Sequence, residues 1–205
     1  MAGCMAEHGT ERGTGGTRYT RTAMALHWAV AALVIGNLAL AWSIGWFPDI
    51  AVRPAIDTHK SIGITVLGLV LMRVLWRLGH PPPPLPADHP RWERGMAHAA
   101  HAGLYALILA MPVSGWIHDS AFKDAARFPL RLFGLVPWPR IGAIMRMDPA
   151  AKEALHARWF AIHVWLSYAL LALLALHLLG VLKHELLDGK PVLGRMLPRL
   201  LPGRR

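Results

Sequence analysis

Residues 159 to 182 read WFAIHVWLSYALLALLALHLLGVL, a stretch without a single charged residue. About 20 predominantly apolar residues cross the hydrocarbon core of a bilayer, and buried helices of soluble domains rarely sustain such a run. The stretch predicts a transmembrane helix. It also carries His163 and His177, 14 positions apart. At about 100° per residue that spacing returns to within about 40° of the same face, and at about 1.5 Å per residue it separates the two rings by about 21 Å. One helical stripe therefore presents an imidazole near each membrane surface.

Working outward, residues 23–47 and 95–118 are also free of charge and long enough to span. A further span is expected at 59–78, where Lys60 at one end and Arg73 and Arg77 at the other must snorkel to the interfaces. Trp42, Trp46, Trp76 and Trp116 close spans, and Trp92 and Trp159 lie at entrances, as expected for interfacial aromatics. Of the 205 residues 54% are hydrophobic and only 17% charged, against about 25% charged in soluble domains. The expected fold is all-α, an integral-membrane four-helix bundle. Residues 1–18 read as a Gly-rich disordered tail, 19–200 as the membrane domain and 201–205 as a basic tail. Pro81 to Pro84 begin a stiff polyproline connector.

Four spans put both termini on one side. That side collects 13 of the 22 Lys and Arg, including Arg12, Arg18, Arg21 and six from Lys183 onward. The bias places both termini in the cytoplasm, despite seven basic residues in the long outer connection between the third and fourth spans. The net charge of +10 is scattered between apolar runs and forms no continuous basic face, which argues against nucleic acid and for lipid headgroups. The single Cys4 excludes a disulfide framework, a Cys-rich metal site and c-type haem attachment.

With this topology the histidines fall at matched depths. His163 and His59 both lie near the outer surface, His177 and His27 both near the inner one. For any one intramembrane His, a hydrogen bond to a neighbouring helix is the ordinary explanation. Facing pairs at two levels are another matter, because they suit two flat macrocycles clamped from both faces inside a four-helix bundle. Zinc fits poorly, since neither level offers a third or fourth ligand. Gly63 follows His59 by one turn and Gly180 follows His177 by three residues, leaving room for a porphyrin or simply for helix packing. Lys60 and Arg158 at the outer level, and Arg21, Arg73 and Lys183 at the inner one, are candidates for propionate charge or for topology anchoring.

Several segments in order carry a resemblance: YTRTAMALHW (19–28), HKSIGITVLGLVLMRVLWRL (59–78) with the following PPPPLP, AHAAHAGLYALILAMPVSGW (97–116), FGLVPWP (133–139), the His163 and His177 pair, and GRMLP (194–198). Over about residues 19 to 200 the chain resembles the bacterial cytochrome b561 family. The resemblance implies an inner-membrane protein with two b haems, held as iron-ligand pairs by His27 with His177 and His59 with His163. His98 and His101 match the family's AHxxH segment and are expected to hydrogen-bond a propionate or a quinone carbonyl, or to mark the headgroup boundary. Where the family often has a His-His pair after the fourth span, this chain has His184-Glu185.

With both axial positions filled, electron transfer is the expected chemistry. It would run between an extracytoplasmic donor or acceptor and membrane quinone, ubiquinone being a candidate cofactor. The alternatives are a cytochrome b subunit anchoring a hydrogenase-like or dehydrogenase complex, and a cofactor-free transporter or adaptor with proton-relaying histidines. No internal repeat between the two halves supports the transporter.

Overall fold

A computed structural model describes residues 18–81, 83, 90–189 and 192–197. The expected tails at both ends and most of the proline connector lie outside these residues.

Four long helices dominate. α1 spans Arg21–Ser43 and is prolonged by a 3-10 turn, Ile44–Trp46; α2 spans Asp49–Gly79 and α3 Arg91–Ser120. After a short antiparallel hairpin, β1 (Arg131–Leu132) and β2 (Val136–Pro137), comes the single turn α4 (Gly142–Met145). α5 spans Pro149–Leu182 and runs into a π-helical turn, Lys183–Leu187. All four long helices are apolar and long enough to cross a membrane.

Local chemistry explains the boundaries. Thr20 caps α1 by accepting the Ala23 N–H at 3.2 Å. Asp148 caps α5 by accepting from Ala150 and Ala151 at 2.9 and 3.0 Å, and Pro149 stands at the first helical position, where no N–H is missed. α2 and α5 begin some ten residues earlier than the spans expected at 59–78 and 159–182. Those early turns carry the charged Arg53, Asp57, Lys152 and Glu153. At about 1.5 Å per residue α5 is about 51 Å long, well over the roughly 30 Å of hydrocarbon.

α1 packs on α2, α2 on α3, and α3 most closely on α5, whereas α5 meets α1 and α2 far less. The shared core is small: Val30, Val34 and Leu38 on one stripe of α1, with Val66, Leu104 and Leu170 from the other helices. Most large apolar side chains point outward, Trp165 at 73% exposure among them, as they must when the surrounding solvent is lipid.

The outer connection is ordered against the helix ends. Phe133, at φ 51°, and Gly134, at φ 74°, turn the hairpin. A positive φ is uncommon for a bulky residue. Here the Phe133 N–H donates to Ser61 Oγ at 2.9 Å, while the Ser61 hydroxyl donates to the Asp57 carbonyl at 2.7 Å.

Candidate functional site

At the outer level His59 of α2 and His163 of α5 face each other with ring centres 6.1 Å apart and planes at 87°. Both line an apolar cavity between α1, α2, α3 and α5, together with Asn37, Gly63, Gly115, Lys60 and His118. The sequence supplies this opening through small residues. At Gly63 a methyl group would find only Asn37 Nδ2, at 3.9 Å, and at Gly115 it would press on His163 Cε1 at 3.2 Å.

Hydrogen bonds orient the His163 ring. Ser114 is buried and its hydroxyl donates to the Met111 carbonyl at 2.7 Å. Having one proton to give, the same hydroxyl accepts from His163 Nδ1 at 2.8 Å. That bond puts the proton on Nδ1 and leaves the Nε2 lone pair available to a metal. Across the cavity His59 Nδ1 and Asn37 Oδ1 are buried with no hydrogen-bond partner among the described residues. Buried polar atoms without partners are costly, so this apolar space with a facing imidazole pair fits a flat iron macrocycle better than it fits lipid.

The inner level is arranged differently from the expectation. His177 of α5 meets His101 of α3 edge to face at 5.3 Å, while the His27 ring of α1 packs on Trp28 at 5.2 Å. His27 remains within electrostatic reach of His177, His101 and Arg73. His101 Nδ1 donates to the Ala97 carbonyl at 2.7 Å. Here α3 and α5 are tight: a methyl group on Gly103 would stand 2.8 Å from Leu173 Cδ2. His27 stands on α1, which packs on α5 far more loosely than α3 does.

Among the other sequence candidates, Lys60 is taken by Asp119 at 2.6 Å and Asp57 at 3.6 Å, and Arg158 and His98 are exposed. Arg73 Nε donates to the Tyr105 hydroxyl at 2.8 Å, and Lys183 bridges Glu93 and Asp188. Gly180 borders open space.

Four residues escaped the sequence reading. His118 and His156 stack at 3.9 Å, each donating its Nδ1 proton to the other's backbone carbonyl at 3.0 Å. Asp119, only 5% exposed, joins Lys60 to Arg140. No local motif announces these contacts, which form only once α2, α3, α5 and the connection meet.

A helical membrane bundle whose interior pairs imidazoles across an apolar cavity defines a b-type membrane cytochrome. The comparisons agree. The prokaryotic cytochrome b561 profile matches residues 18–199. The chain is 35% identical over 188 residues to cytochrome b561 homolog 2 of Escherichia coli (strain K12), covering 88% of this chain and 91% of that one. It is 28% identical over 186 residues to the probable superoxide oxidase CybB of Yersinia pestis, covering 89% and 97%. The chain belongs to the prokaryotic cytochrome b561 family, membrane cytochromes that bind b-type haem and transfer electrons.

Proposed function

We propose that this chain carries electrons across the bacterial inner membrane through two b haems, the outer held by His59 and His163 and the inner by His27 and His177. The observation that carries this reading is the outer imidazole pair, facing across an apolar cavity with the His163 tautomer set by Ser114. A haem held by two imidazoles supplies one-electron chemistry and keeps no open iron position for oxygen activation. The chain's own residues orient the ligands, exclude water and supply charge at the two surfaces. Val34, Leu38, Ile64, Val66 and Leu170 keep the outer cavity dry.

The looser packing of α5 on α1 than on α3 supports His27 over His101 as the partner of His177. His101 and His98 then serve the inner surface, His101 beside Arg73 and Tyr105, where a quinone or propionate oxygen finds donors. Electrons are exchanged with membrane quinone on one hand and a small extracytoplasmic redox species on the other. Similarity to a probable superoxide oxidase makes superoxide the first donor to try.

The test is a haem-to-protein ratio with a reduced-minus-oxidised spectrum on the purified protein. Two b haems per chain are expected; a single haem, or none, would overturn the assignment. Co-purification in mild detergent without partner subunits is expected of a stand-alone oxidoreductase, and a stable dehydrogenase or hydrogenase partner would replace that part of the reading.

A further inference from the structure

The segment Trp138–Ile141 is held beside the outer cavity by five hydrogen bonds. The Trp138 N–H donates to the Leu130 carbonyl at 2.9 Å. The Pro139 carbonyl accepts from Trp116 Nε1 at 2.9 Å, and the Ile141 N–H donates to Ser120 Oγ at 3.1 Å. Arg140 Nε donates to Asp119 Oδ2 at 2.8 Å and Nη1 to the Ala125 carbonyl at 2.5 Å. Three of these partners, Trp116, Asp119 and Leu130, line the cavity itself.

Two side-chain donors of the segment lack a partner: Arg140 Nη2 and Trp138 Nε1 are buried with no acceptor among the described residues. The Arg140 side chain is 7% exposed, so water does not reach it freely. A buried guanidinium with an empty donor direction is costly, and buried groups of this kind signal a missing partner. Charge points the same way. Arg53, Lys60 and Arg140 are joined here to only two carboxylates, Asp57 and Asp119, which leaves one positive charge in excess. Trp138 and Arg140 are two residues apart in an irregular stretch outside any helix or strand, and the Trp138 ring lies 6.0 Å from that of Trp116. A planar anion accepting from both an indole and a guanidinium N–H would satisfy both orphans and the surplus charge together.

We propose that Arg140 and Trp138 form the donor half of a buried oxyanion site directly behind the Trp116, Asp119 and Leu130 lining of the cavity, built for a carboxylate. Two sources supply that chemistry: a propionate of a haem in the cavity, or a small free carboxylate from the extracytoplasmic side. The first rests on the haem assignment above; the second does not. Either way Arg140 offers the anion a buried donor direction that its bonds to Asp119 and Ala125 leave unused.

Two variants test this at constant haem content. W138F removes only the indole N–H, and R140K keeps the charge beside Asp119 but lacks Nη2. A propionate source predicts that both variants shift the propionate bending band of one haem in resonance Raman spectra, with no effect of added acetate. A free-anion source predicts an unchanged band and a wild-type midpoint potential that titrates saturably with acetate, its acetate affinity falling at least tenfold in both variants. If neither the band nor the acetate response moves, solvent satisfies the two donors and the site does not exist. Should R140K fail to accumulate, W138F alone decides. A colourless protein would sink the haem reading by itself, and thermal stabilisation by acetate, lost in W138F if the site is real and absent from wild type if it is not, then judges this one.

Discussion

His101 and His177 meet edge to face across the closest helix contact in the bundle, with ring centres 5.3 Å apart. His101 competes in position with His27, and the two make opposite predictions. His27→Ala is expected to lose the inner haem, seen as halved haem content, because α5 packs more loosely on α1 than on α3. His101→Ala should keep both haems and shift only the inner potential. Haem loss in His101→Ala with retention in His27→Ala would reassign the ligand. His8→Ala and His89→Ala, in polar segments, should leave the spectrum unchanged.

Two glycines on α3 separate tolerance from exclusion. At Gly115 a new side chain meets the His163 ring, which is held by Ser114 and has little room to yield. Gly115→Val should therefore cut outer haem content severely. At Gly103 the obstacle is the far end of the flexible Leu173 side chain. Gly103→Ala should assemble with haem content near wild type.

Removing the hydroxyl that orients His163 tests the tautomer. Ser114→Ala strips one hydrogen bond of about 1 kcal/mol from His163 Nδ1 and leaves the Met111 carbonyl as its neighbouring acceptor. The protein is expected to retain the outer haem with an altered midpoint potential in a redox titration. An unchanged potential would mean that Ser114 plays no part in ligand basicity.

Asp119 is the buried hub of two ion pairs, and removing one partner of such a group typically costs about 3 to 5 kcal/mol. Asp119→Asn should lower the thermal midpoint in detergent well beyond the effect of Asp57→Asn, whose carboxylate is 44% exposed.

Acid should act late on the inner surface. Hydrogen bonds from Lys183 at 2.9 Å and His184 at 2.7 Å hold the Asp188 carboxyl below its ordinary value of 3.8. A depressed folded value means that the stabilising tie is fully present above the unfolded value and fades as pH falls through the lower, folded one. The difference in thermal midpoint between wild type and Asp188→Asn should persist at neutral pH and vanish only below pH 3.8. It should be small and shrink with salt, since the pair is partly open to solvent.

The four spans were legible because runs such as 159–182 leave no soluble alternative, and the depth of His59 and His163 followed from counting residues along helices. The early turns of α2 and α5 were not, because Arg53 and Asp57 break the charge-free run yet pair with each other one helical turn apart at 3.1 Å. The inner level escaped for a different reason. Depth places His101, His27 and His177 together, but only the relative closeness of α3 and α1 to α5 says which rings touch. His118 with His156, and Asp119 with Arg140, are tertiary contacts between separate elements, and helical periodicity carries no information about such partners.

The stacked imidazoles of His118 and His156 fasten the polypeptide where it leaves α3 to where it re-enters α5. Everything in between is a loop whose neck is already closed, so lengthening or nicking it adds little entropic strain to the helices. A protease cut at Gly134 should leave two fragments that migrate as one coloured particle, and the hairpin tip can then diversify while Trp138–Ile141 stay bonded to the helix ends.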